Sequence, residues 1–298
     1  MKFSVVTDML GLESFDDALQ TAKEVGFDYI ELRAKLNGDT IDSISVDKAK
    51  KLGEKVKEHG LEVATLSSWA VNSCTFSGSP KYDNYDENHH EEMTNQLDRL
   101  FNLADAFSAP NVRIYSLYRQ PDFDTWPEEE KEKEYRHNAE VLKRHAEHAR
   151  RRGKVILVEN EPPTLTNNCV ELGKLVQYAD HPHLKLNWDI VNGWRSGEYP
   201  TVELYEQIKG NVASVHLKGA SRVVNTITND MPEGRFNNFA IAGEDDFKHE
   251  AVLKALTEGE PDVILSIDTH YPSFYQQDKI GEAEVVRQTK EFFEGVIG

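Results

Sequence analysis

Four segments of this 298-residue chain close a short apolar run with a side chain that can hold a cation or move a proton. They read Ile156-Leu157-Val158-Glu159, Leu186-Asn187-Trp188-Asp189, Ser214-Val215-His216 and Ser266-Ile267-Asp268. Any one of them alone is explained as a strand-end polar residue satisfied by a helix N-terminus. Four in succession are not, and the set converges on one side of a barrel mouth. Three carboxylates and one imidazole make a hard, oxygen-rich donor set that leaves positions for substrate. The cofactor expected is one divalent ion, manganese, magnesium, cobalt or zinc. The first three fit better than a zinc of the structural, thiolate-loving kind.

Side chains two apart on a strand point the same way, so Glu161 and His270 share the side of Glu159 and Asp268. They are read as touching substrate or as bracing the ligands. Trp69, just past the third strand, is placed to stack on a sugar face or simply to pack. Lys218 and Arg222 are candidates to hold a substrate phosphate or carboxylate. Glu31 and Arg33 are expected to pair at the barrel mouth or meet substrate, and Arg113 to serve an internal ion pair. Tyr82–Tyr85 is a candidate lid. His89-His90-Glu91-Glu92 is read as a helix start, where acids favour the dipole, and His145 and His148 as surface residues.

The elements that must position these groups alternate along the whole chain. Strands are predicted at Phe3–Thr7, Tyr29–Leu32, Glu62–Leu66, Val112–Tyr115, Val155–Val158, Leu184–Trp188, Val212–Leu217 and Val263–Ile267. Helices are predicted at Ser14–Val25, Val46–His59, Glu91–Phe107, Glu128–Arg152, Val170–Tyr178, Val202–Ile208, Lys248–Thr257 and Gly281–Val296. Gly26, Gly60 and Gly153 stand where helix C-caps want them. Eight strand–helix units without a composition shift predict one domain over residues 1–298, a single (β/α)8 barrel of the TIM type. An open doubly wound sheet is disfavoured, because Asp8-Met9-Leu10-Gly11-Leu12 follows the first strand in place of a G-x-G-x-x-G turn.

Composition narrows the function classes. A net charge of −18, from 34 basic and 52 acidic residues, repels polyphosphate and argues against nucleic acid or an anionic membrane as partner. The acidic and basic run at residues 128–134 and Arg150-Arg151-Arg152 both fit a solvated helix with dipole-matched ends. No apolar stretch approaches the length of a membrane span. Cys74 and Cys169, without a secretory signal, read as reduced thiols of a cytoplasmic protein.

The order Glu159, Asp189, His216, Asp268 over strands five to eight resembles the xylose-isomerase-like barrel superfamily of sugar isomerases, epimerases and inositol-catabolic enzymes, with endonuclease IV a more distant relative. His216-Leu217-Lys218-Gly219 resembles that family's His-x-Lys-Asp motif, and Ala242-Gly243-Glu244-Asp245-Asp246-Phe247 its Gly-Glu-Gly-x-x-Asp-Phe stretch. Tyr29-Ile30-Glu31-Leu32-Arg33 looks like its second strand. The resemblance implies that Glu159 and Asp268 are ligands and also the acid–base pair, and that the chain forms a homo-oligomer. It implies proton transfer beside a carbonyl, with the metal stabilising an enediolate. Three departures stand out. Asp268 replaces a longer glutamate, Asn192 stands where a histidine is common, and Gly219 stands where an acid is common. Asn192 is accordingly taken as substrate-facing.

The leading expectation is an isomerase or epimerase acting on a small sugar, keto-sugar or cyclitol. The alternative keeps the metal and the enediolate but eliminates a β-substituent, as a lyase or dehydratase on a keto-sugar, inosose or oxidised glycoside. An endonuclease-like hydrolase and a non-catalytic sugar-binding barrel rank below both.

Overall fold

The computed structural model describes residues 2–70, 86–120, 122–221, 238–245, 247–270 and 280–298. Arg222, Cys74, Asp246 and the candidate lid Tyr82–Tyr85 lie outside the described residues. The strands in chain order are β1 (Lys2–Val6), β2 (Tyr29–Leu32), β3 (Glu62–Ser67), β4 (Asn111–Tyr115), β5 (Val155–Glu159), β6 (Leu184–Asp189), β7 (Val212–Leu217), β8 (Gly219–Ser221), β9 (Asn238–Ala240) and β10 (Ile264–Ile267). Eight of them close a barrel in the order β1-β10-β7-β6-β5-β4-β3-β2, with every neighbouring pair parallel. This is the single (β/α)8 barrel expected.

The helices are α1 (Phe15–Glu24), α2 (Val46–Glu58), α3 (Glu87–Phe107), α4 (Glu128–Arg151), α5 (Cys169–Ala179), α6 (Ile190–Arg195), α7 (Val202–Tyr205), α8 (Glu250–Gly259) and α9 (Glu282–Ile297). Their starts follow local chemistry. Ser14, Ser45 and Asn168 each turn a side-chain oxygen onto a backbone N–H of the first turn. Asp86 and His89 form a reciprocal capping box, so α3 begins at Glu87, four residues earlier than the acidic pattern indicated. Gly26, Gly60 and Gly153 all take left-handed φ after their helices, as expected.

Three of these elements were not foreseen, α6, β8 and β9. The six-residue α6 follows β6 directly, because Asp189 accepts from Asn192 N at 2.9 Å and so caps it. Strands β8 and β9 pair antiparallel over the top of the barrel, Gly219 with Ala240 and Ala220 with Phe239. Asp245 pins that strap, accepting from Ala220 N at 3.0 Å and meeting His249 Nε2 at 2.9 Å.

The strands are buried on both faces, and the two faces differ in kind. One face carries residues such as Ile30, Leu66, Val112, Ile114, Ile156, Val158, Leu186, Val215, Leu265 and Ile267, which pack against the helices in one apolar core. The alternate positions carry Ser4, Glu31, Ser67, Arg113, Glu159, Asn187, Asp189, Ser214, His216, Ser266 and Asp268, all buried. The barrel lumen is therefore polar. Among the described residues no helix is long and apolar enough to cross a membrane.

Candidate metal centre and substrate pocket

Strand ends deliver the site. Along β5 to β7 the register sets Glu159 beside Asn187 and Asp189 beside His216, while Ser266, two residues before Asp268, pairs with His216 from β10. One ligand atom each from Glu159, Asp189 and His216 can be chosen so that all lie within 4.8 Å of one another. Asp268 stands outside that tightest group but close to it: its Oδ2 is 3.4 Å from His216 Nδ1, which is 3.2 Å from Glu159 Oε1 and 3.8 Å from Asp189 Oδ2.

The other face of the imidazole is held from across the barrel. Glu31, at the end of β2, takes His216 Nε2 at 3.1 and 3.2 Å. Glu31 is itself fixed by the Ser67 hydroxyl and by Ser266 Oγ at 2.9 Å. Because Glu31 accepts from Nε2, the lone pair of a neutral His216 lies on Nδ1, facing the three acids. The expected pairing of Glu31 with Arg33 is thus corrected. Glu31 braces His216, and Arg33 instead bonds Asp8 at 2.8 and 3.0 Å and approaches Asp268 Oδ1 at 3.6 Å. Each acid found a nearer base, so neither residue was left for the other. Arg113 fulfils the internal ion pair, with Nε 2.9 Å from Glu159 Oε2.

The donor set suits a divalent ion. Glu159 Oε2, Asp189 Oδ2 and Asp268 Oδ1 are buried and are met by cations alone, Arg113 at 2.9 Å, Lys218 at 2.7 Å and Arg33 at 3.6 Å. Asp8, Glu31, Glu159, Asp189 and Asp268 face three permanent cations in Arg33, Arg113 and Lys218, while Glu161 stands against Arg195. With those five acids ionised and His216 neutral, two negative charges remain, the amount a divalent ion offsets. Burial opposes charge on His216, but Glu159, Glu31 and Asp268 outweigh it and push the ring well above its ordinary range. Burial likewise opposes charge on Glu159, yet Arg113, then His216 and Lys218, hold its carboxyl down at about 2.

Above the acids opens a cavity of about 400 Å³. Glu161, Lys218, Trp69, Asn192 and His270 line it. Asn192 Nδ2 donates to Glu161 Oε2 at 2.8 Å, and His270 Nε2 lies 2.8 Å from Asp268 Oδ2. Burial, with Glu159 and Asp189 close by, pushes Glu161 up to about 7 against the pull of Arg195. Lys218 lines the cavity with its Nζ 2.7 Å from Asp189 Oδ2 and 2.9 Å from Asp268 Oδ2.

Five lining residues escaped the sequence reading: Ala34, Thr40, Tyr115, Phe239 and Arg195. Tyr115 packs against Trp69 with ring centroids 5.3 Å apart. Phe239 on the β8–β9 strap stacks on His270 at 5.3 Å. For Tyr115 the signal was available, two residues beyond Arg113 at a strand end. The placement of His145 as a surface residue is also corrected. It is fully buried on α4 and stacks on His90 of α3, ring centroids 4.8 Å apart, because α3 begins early enough to cover it.

A family model described as "Xylose isomerase-like TIM barrel" matches residues 19–295. The chain belongs to that family. Within reach of this xylose isomerase-like barrel is the 3-dehydroshikimate dehydratase of Bacillus anthracis, 25% identical over 224 residues that cover 74% of this chain and 72% of the relative. Solved structures share the fold. The IOLI protein with a binding zinc atom superposes with a TM-score of 0.74 at 19% identity, covering 100% of this chain and 98% of its own. D-psicose 3-epimerase in the presence of D-fructose gives 0.72 at 13% identity and covers all of both chains.

Proposed function

We propose that this barrel is a metal-dependent lyase that removes water from a small keto-substituted polyol or sugar, a dehydratase working through an enediolate. The observation that carries this reading is the engagement of Asp268. Its Oδ2 meets Lys218 at 2.9 Å and His270 at 2.8 Å, with Arg33 near Oδ1. Burial opposes its charge, yet His270, Lys218 and Arg33 hold it well below the usual carboxylate range. A short acid so engaged is a poor base toward a substrate carbon, and it orients His270 instead.

Glu159, Asp189, His216 Nδ1 and Asp268 Oδ1 would hold the ion. When bound, it supplies positive charge against the negative charge that develops on the carbonyl oxygen. His270 donates from Nε2 to Asp268, which leaves Nδ1 as the lone pair that takes the proton beside the carbonyl. Glu161, steadied by Asn192, gives its proton to the departing hydroxyl, which leaves as water while the carbon–carbon double bond forms. Trp69 and Phe239 wall the cavity against solvent. The curated relative from Bacillus anthracis, a dehydratase by name, supports the same direction. We read the chain as one catalytic domain working in the cytoplasm, with manganese, magnesium or cobalt favoured by its oxygen-rich donors.

A second reading, isomerisation or epimerisation, rests on a different contact. Glu159 Oε1 and Asp268 Oδ2 flank His216 Nδ1 at 3.2 and 3.4 Å, an arrangement that would let two carboxylates exchange a proton across one carbon. One experiment separates the two. Purified protein loaded with Mn, Mg, Co or Zn in turn is given keto-sugars and keto-polyol rings in deuterated water. Elimination yields a conjugated enone absorbing in the ultraviolet, and Glu161→Gln should suppress it. Deuterium entering recovered, fully hydroxylated substrate, with no enone, would favour the second reading and overturn the first.

A further inference from the structure

Among the described residues that line the cavity, Arg195 is the cation whose nearest acid stands farthest off, Glu161 at 3.5 Å. Arg33 is held by Asp8, and Lys218 by Asp189 and Asp268. Arg195 closes the short α6 and reaches the cavity from one turn beyond Asn192. Among the described residues its polar contacts run through Nη1, which donates to Asn192 Oδ1 at 3.0 Å and stands 3.5 Å from Glu161 Oε1. Nε is buried and makes no hydrogen bond. Among the described residues neither Nε nor Nη2 has a hydrogen-bond partner, and Arg195 lines the substrate-sized pocket.

We infer that Arg195 is an anion receptor and that the substrate carries a carboxylate. This rests on the reading of the cavity as the substrate site of a ring or sugar lyase. An arginine edge offers two parallel N–H donors spaced for the two oxygens of one carboxylate. A buried donor left without a partner is costly, and such a ligand removes that cost at Nε. The charge balance selects among anions. Arg195 brings a single positive charge with Glu161 3.5 Å away, so a carboxylate is matched, whereas a phosphate dianion would leave excess negative charge beside an acid. Asn192 gains a role as well: its carbonyl oxygen fixes Nη1 and its amide fixes Glu161, so anion and proton donor are held in one frame. The assignment moves the anion-holding role expected of Lys218 to a residue one helix away.

The test compares two probes on metal-loaded protein by calorimetric titration: shikimate, a hydroxylated ring carboxylate, and its methyl ester, the same ring without the charge. Wild type should bind the acid about tenfold or more tightly than the ester, as a charged hydrogen bond predicts. Arg195→Gln should bring that ratio to about one, and Arg195→Lys should keep part of the preference. Wild type that takes both probes alike, or takes neither, overturns the proposal, as does an acid preference that survives Arg195→Gln. The lyase reading fails separately, on the absence of an enone product, whatever the acid preference.

Discussion

Glu31 on β2 and His216 on β7, three strands apart around the barrel, meet inside it, with both carboxylate oxygens within 3.2 Å of Nε2. The contact fixes which nitrogen of the imidazole faces the acids. Glu31→Gln removes the charge that orients the ring and makes Nδ1 basic. Metal affinity should fall about 10–100-fold, as for other outer-shell partners of a ligating histidine. A chelator-competition titration measures it. Unchanged affinity in a variant of normal circular dichroism would mean that His216 is positioned by something else.

Metal loading should depend on pH in a defined direction. The neighbouring acids push His216 well above its ordinary range, so the metal-free protein carries a proton there at neutral pH. A ligating imidazole must be neutral, so binding expels that proton and affinity rises with pH, by about tenfold per unit for one proton. Calorimetry in buffers of different ionisation enthalpy counts the protons released. Zero release would show that His216 is already neutral or does not ligate.

His145 should make the fold acid-sensitive well away from the site. Burial, with His90, Arg144 and His148 adding to it, lowers this histidine from 6.5 to about 3. Above pH 6.5 neither the folded nor the unfolded chain is protonated there. Below it the unfolded chain binds a proton that the fold refuses, so stability falls with pH and has lost about 2 kcal/mol from this residue by about pH 5. His145→Phe keeps a ring against His90 and should flatten that part of the urea-midpoint profile. A variant as pH-sensitive as wild type would assign the loss elsewhere.

Gly219 has a steric reason for departing from the acid common in the family. A Cβ there would lie 2.3 Å from Ala240 O and 2.7 Å from Ala242 N, both backbone atoms. Gly219→Asp must push β9 away, and Phe239 with it. We expect a loss of about 1–3 kcal/mol, seen as a lower Tm, together with reduced turnover. An aspartate tolerated without loss of either would mean that the strap is not seated as described.

The barrel and its four chemical strand ends were legible because polar residues closing short apolar runs are rare enough to be noticed, and because the helix-capping glycines punctuate the chain. What stayed hidden lies in contacts with no period. Asp189 serves both as a site acid and as the cap of α6, so a six-residue helix ending in Arg195 left no repeating pattern to read. Strands β8 and β9 are three residues each and are joined by a long connection, so nothing in Gly219–Ser221 announces Phe239. His145 was misplaced because a helical position shows its burial only once the helix across from it is known to start at Glu87.

The two faces of each stave also divide the ways this protein can change. Outward positions such as Val158 and Ile267 need only the right apolar volume, and exchanges among aliphatic side chains there are absorbed at modest cost. Their immediate neighbours Glu159 and Asp268 belong to a network in which one lost charge strands another. A map of tolerated mutations along β5 or β10 would therefore alternate residue by residue, permissive then strict. Inheritance in such a fold can drift far on the outside while its chemistry is changed only by replacing partners together.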